Sequence, residues 1–135
     1  MKTLIIVLIC INLLDASSNN YELELYETIL PNIFQKKVLA YSDKKTAKIL
    51  KGSKVITLTK NCHLSDVLVG KSFNHLPINC QSKPIFSTSH RSFKYINNSI
   101  GAFYWRKGRP QIKFRVDNIK KFNLYLSKGL MEFAE

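Results

Sequence analysis

Three short, almost wholly apolar segments set among longer polar stretches constrain the fold of this chain more than any other feature. They are Val55-Ile56-Thr57-Leu58-Thr59, Asp66-Val67-Leu68-Val69-Gly70 and Pro84-Ile85-Phe86-Ser87-Thr88-Ser89. Each is too short for a core helix, and each carries β-branched or aromatic residues that suit a pleated strand. Strands apolar on both faces belong in a sheet covered on both sides, which is the environment of parallel strands. The stretches between them are helical in pattern or long enough for crossover connections. An α/β domain follows.

The flanking segments agree. Tyr21 to Phe34 predicts an amphipathic helix, with Leu23, Tyr26, Leu30, Ile33 and Phe34 on one stripe. Glu22, Glu24 and Glu27 are expected in its first half, where carboxylates complement the helix dipole, and Pro31 is expected to kink or end it. Val38 to Tyr41 is a further apolar run, and Lys44 to Lys51 is helix-like, with Gly52 as its stop. Ile100 to Trp105 then leads through a two-residue turn, Lys107-Gly108, into a return strand. That strand alternates Ile112, Phe114 and Val116 on one face with Gln111, Lys113 and Arg115 on a wet face. Pro110 lacks a ladder donor, which puts this strand at the sheet edge. Asp117 is expected to cap a short helix through Phe122, with Asn123 as its left-handed stop. Ser127 is expected to cap a last helix built on Leu130, Met131, Phe133 and Ala134. The prediction is a single domain with a small, mostly parallel sheet, an antiparallel edge hairpin and flanking helices. A length of 135 residues supports one such domain and excludes multidomain enzymes and long repeat arrays.

The front of the chain gives an address. Residues 1–18 read as a secretory signal peptide: Lys2 is the positive n-region, Leu4 to Leu14 the apolar core, and Ala16-Ser17-Ser18 the small-residue site of a cut after Ser18. The apolar run falls short of the roughly 20 residues that span a bilayer, which disfavours an uncleaved anchor. The mature chain, 19–135, keeps the net charge of +12, because the cut removes Lys2 and Asp15 together. The leader and the Lys-rich composition fit a periplasmic protein of a Gram-negative cell, or a fully secreted one. Export also makes nucleic acid a poor partner in spite of the positive charge. Anionic envelope surfaces share the compartment and remain open as partners.

Two cysteines, Cys62 and Cys80, remain after the cut. An oxidising compartment favours their pairing as a disulfide, and two separate thiols are the plain alternative. A third reading adds His63 and His75, which with the cysteines supply the atoms of a tetrahedral zinc site. The adjacency of Cys62 and His63 counts against convergence on one ion, so no metal is expected. Ser87, Ser89 and His90 invite a hydrolase reading. They lack a Gly-x-Ser-x-Gly elbow, and neighbours on one strand point to opposite faces. No nucleophile, base and orienter can be assembled, so neither catalytic residues nor a cofactor is expected. The basic, aromatic turn is the strongest surface candidate. Trp105, Arg106, Lys107 and Arg109 are expected to contact an acidic patch on a protein partner, since Trp and Arg often dominate binding energy. The plain alternative is a solvated turn with Trp105 folded into the core.

The C-terminal pattern resembles the YfiR family of periplasmic proteins. The similarity lies in Ile100-Gly101-Ala102-Phe103, a charged turn, Ile112-Lys113-Phe114-Arg115-Val116, then Leu124, Ser127, Leu130-Met131 and Ala134. Upstream, the Asp66 to Gly70 strand, the Pro84 to Ser89 strand and Phe93 are similar in order and spacing, so the likeness covers about residues 66 to 134. Asp117 stands where the family commonly has Asn, and Asn123 where it often has Gly. The resemblance implies a periplasmic α/β domain. It also implies a regulatory or adaptor role, binding the periplasmic domain of a membrane signalling enzyme such as a diguanylate cyclase.

Overall fold

The apolar runs become strands in a computed structural model that describes residues 18–134. The strands are β1 (Val38–Ser42), β2 (Ile56–Leu58), β3 (Val67–Gly70), β4 (Ile85–Ser87), β5 (Ser99–Arg106) and β6 (Arg109–Phe114). The helices are α1 (Ser18–Phe34), α2 (Lys44–Leu50), α3 (His90–Tyr95) and α4 (Val116–Lys121). The expected leader lies outside the described residues, apart from Ser18, which begins α1. The strands form one sheet in the order β2-β1-β3-β4-β5-β6. Every neighbouring pair is parallel except the β5–β6 hairpin. The expected α/β architecture, a mostly parallel sheet with an antiparallel edge hairpin, is the one observed.

Strand alternation divides the core between the two faces. Val67 and Val69 face α1, where they join Tyr26, Ile29, Leu30 and Ile33, while Leu68 between them faces the opposite side with Cys62, Cys80 and Ile85. On the α1 side, the Tyr26 ring meets Phe86 and Phe103 edge-on at 6.0 and 5.8 Å. Burial pushes the Tyr26 hydroxyl well above its ordinary pKa, and the Glu22 and Asp43 carboxylates add to the rise. Phe93 of α3 packs on the other side against Ala102 and Tyr104 of β5.

Local chemistry explains where the elements end and bend. α1 runs past Pro31 to Phe34 and stops at Gln35, which has φ 57°. Pro31 falls in the last turn, where its missing N–H forfeits a single ladder bond, so it does not end the helix. Because α1 starts at Ser18, no acidic residue lies in its first turn. Two of the three glutamates serve other partners: Glu27 accepts from Ser53 Oγ at 2.8 Å, and Glu22 reaches the hairpin. Asp43 caps α2 by accepting from Thr46 N at 2.9 Å and also accepts from Lys71 N at 2.8 Å. Sheets of this strand order commonly receive ligands beyond the carboxyl ends of β1 and β3, and here the Asp43 side chain ties those two ends together. Between β4 and β5 the register moves from Ile85↔Ser99 to Phe86↔Gly101, which leaves Ile100 as an extra residue on β5. Gly101 is required there: a Cβ would stand 2.8 Å from the Lys113 carbonyl oxygen and 2.8 Å from Phe114 Cδ1.

The C-terminal third departs from expectation in three places. α4 is preceded by Arg115, whose side chain makes no capping bond, and Asp117 sits inside the first turn instead. Its carboxylate complements the dipole from there. Asn123 does take the left-handed conformation, φ 55°. The expected last helix is only a 3-10 turn, Met131–Phe133, and Ala134 bridges to Phe114 of β6. Gly129 inside the segment weakens its helical propensity. Arg115, expected on the wet face of the return strand, falls just past β6, where its guanidinium lies 4.8 Å over the Phe93 ring and donates to the Phe93 carbonyl at 2.8 Å.

Candidate functional site

The Lys107-Gly108 turn has positive φ at both residues, 52° and 75°, the type I′ geometry that matches strand twist in a two-residue hairpin. Arg106 faces Arg109 and Trp105 faces Pro110 in register. In such a hairpin the pair flanking the turn is hydrogen-bonded and the next pair is not. Pro110 therefore occupies a position from which β5 needs no donor, on the strand at the sheet edge.

Trp105 stands between core and solvent. It is 39% exposed, yet its ring lies 5.7 Å from those of both Tyr21 and Phe103. Its Nε1–H donates to Glu22 Oε1 at 2.7 Å. The first turns of α1 thus fasten the hairpin near its tip and leave part of the indole in water. Trp105 is neither fully in the core nor free of it. Arg106, Lys107 and Arg109 are exposed. The only ion pair among the described residues joins Lys36 to Asp66, at the opposite half of the sheet. Three cations and a half-exposed indole are therefore held together with no described carboxylate neutralising the cations. Sequence reasoning missed Glu22 as the anchor, since a residue that far upstream carries no local signal for a contact with Trp105.

A groove of about 380 Å³ opens beside this hairpin, lined by Thr88, Ser89, His90, Tyr104, Trp105 and Arg106. It lies beyond the carboxyl end of β4, against the last three residues of β5. The Tyr104 hydroxyl is buried without a hydrogen-bond partner among the described residues, and the His90 ring meets the Tyr104 ring edge-on at 5.6 Å. Ser89 and His90 do not share a strand as expected. Ser89 caps α3, accepting from Ser92 N at 3.1 Å and donating to Ser92 Oγ at 2.8 Å, and His90 is the first residue of that helix. Ser87 is fully buried and bonded to Ser99.

Cys62 and Cys80 form a disulfide across 18 residues, with their Cα atoms 6.0 Å apart. It joins the turn after β2 to the turn before β4 and packs against Leu68 and Ile85. His63 is drawn beside it, while His75 is not among the grouped ligand atoms. One ligand atom each of Cys62, His63 and Cys80 lies within 4.8 Å of the other two. The 3-10 turn Cys62–Leu64 folds both ligand atoms to one side.

No protein-family model matches the chain, and no curated protein matches it.

Proposed function

We propose that this chain is a non-enzymatic regulatory or adaptor protein of the periplasm that binds a protein partner through the β5–β6 hairpin. The observation that carries the reading is the hairpin tip, where Arg106, Lys107 and Arg109 are exposed beside a half-buried Trp105 fixed by Glu22. A rigid aromatic anchor ringed by cations is the composition of an interface centre, and it favours an acidic partner surface. The disulfide fits an oxidising compartment. Among the described residues, no helix is long and apolar enough to cross a membrane. The YfiR resemblance supplies the partner class: the periplasmic domain of a membrane signalling enzyme, a diguanylate cyclase first. The direct test is titration of such a purified domain with the mature chain. Reversing the charges (R106E, K107E and R109E together) is expected to weaken binding by at least about tenfold. Unchanged affinity removes the hairpin from the account.

A second reading is favoured by the groove: a module for a small anion or an anionic envelope polymer. Arg106 and His90 line it, and the buried Tyr104 hydroxyl beside them has no hydrogen-bond partner among the described residues. Trp105 is the single tryptophan of the chain, so its fluorescence reports on this place alone. Titration with inorganic phosphate and with benzoate is expected to shift that emission at low salt, and less at high salt. A flat response to both anions rejects the second reading.

A further inference from the structure

Cys62, His63 and Cys80 bring two sulfurs and an imidazole nitrogen within 4.8 Å of one another. Cys80 Sγ lies 3.7 Å from His63 Nδ1. On a tetrahedral zinc ion, with Zn–S about 2.3 Å and Zn–N about 2.0 Å, a sulfur and a nitrogen ligand stand roughly 3.5 Å apart. The imidazole is thus already at a ligand's distance from one sulfur while the disulfide is intact.

The turn that creates this arrangement is fastened without help from the disulfide. Asn61 Oδ1 accepts from His63 N at 3.0 Å, and Ser65 Oγ donates to the Cys62 carbonyl at 2.7 Å. The Lys83 ammonium donates to the His63 and Ser65 carbonyls at 2.9 and 2.7 Å. Reduction of the S–S bond therefore leaves the backbone of the turn held. The sulfurs need to separate by only about 1.7 Å, from bonding distance to the spacing of two thiolates on one ion. Both cysteines are buried and His63 is exposed. An ion would enter from the imidazole side and keep its fourth position toward water.

We propose that the reduced chain binds one Zn²⁺ through Cys62 Sγ, His63 Nδ1 and Cys80 Sγ, so that the disulfide and the metal are alternative occupants of one site. The exchange balances with a small-molecule thiol as reductant. Two thiols give two electrons and two protons to the disulfide and leave as their own disulfide. Zinc then displaces the two cysteine thiol protons to solvent and takes a lone pair from neutral His63.

The full mature chain, reduced with a phosphine that does not itself supply thiols, is titrated with Zn²⁺ against a chelating dye and with Co²⁺ by absorption. The proposal predicts one ion per reduced chain, none on the oxidised chain, and a thiolate-to-cobalt charge-transfer band. It predicts at least about a tenfold loss of affinity in His63→Ala, since loss of even an indirect partner of a metal ligand costs that much. His75→Ala should bind as the parent does. Zinc binding that is absent from the reduced chain, equal in the oxidised chain, or unaffected by His63→Ala overturns the proposal. So does a reduced chain that has lost its circular-dichroism signature and does not regain it with zinc. Because His63→Ala leaves both cysteines in place, it keeps the test decisive if cysteine variants fail to fold.

Discussion

Tyr26 shows how one side chain binds several parts of the fold together. Its ring fills the space between α1 and the sheet, and its hydroxyl lies in the field of Glu22 and Asp43. Burial and those carboxylates all raise its pKa in the folded state. The unfolded chain releases this proton near pH 10, while the folded chain holds it to higher pH. Stability from the buried neutral phenol is therefore fully present below about pH 10 and falls as the pH rises beyond it, by up to about 1.4 kcal/mol per pH unit. Urea unfolding at pH 8 and pH 11 is expected to show this loss in the parent chain and a smaller one in Tyr26→Phe. An equal loss in both would place its origin elsewhere. Gly101 illustrates the opposite kind of residue, defined by what it lacks. Its position beside the Lys113 carbonyl and Phe114 leaves no room for a side chain, which gives the glycine of the β5 motif a packing reason.

Among the elements, the disulfide-linked turns and the hairpin matter most. The Cys62–Cys80 link closes a long loop across a face of the sheet that has few helices. Replacing both cysteines by serine is expected to cost about 3 kcal/mol in urea unfolding without reductant. A change within error would mean that the link restricts the unfolded chain too little to stabilise the fold. The elements also show what the sequence carried in readable form. The strands β3 and β4 and the Lys107-Gly108 turn declared themselves because their signals are local: continuous apolar runs and a residue pair suited to positive φ. The Cys62–Cys80 pairing followed from compartment and count. The capping of α3 by Ser89, the anchoring of Trp105 by Glu22 and the approach of His63 to Cys80 were not legible. Each depends on tertiary placement, or on a turn conformation that spacing alone does not define. The last helix failed for a related reason: Leu130 and Phe133 pack against the core from a single 3-10 turn, which needs no helical ladder, while Met131 stays exposed.

For the whole molecule, positive charge and compartment decide what the fold can be used for. A chain at +12 carries little acidic surface of its own, and its one described ion pair lies away from the hairpin. Long-range attraction toward an anionic partner is built into that balance and weakens with salt. Both the adaptor reading and the small-anion reading draw on it, and both rest on export. The most direct measurement is mass spectrometry of the protein recovered from fractionated cells that express the full sequence. The account predicts a periplasmic chain that begins at Asn19 and gains two hydrogens only after reduction. An intact chain in the cytosol, beginning at Met1 and carrying free Cys62 and Cys80 thiols, would contradict it.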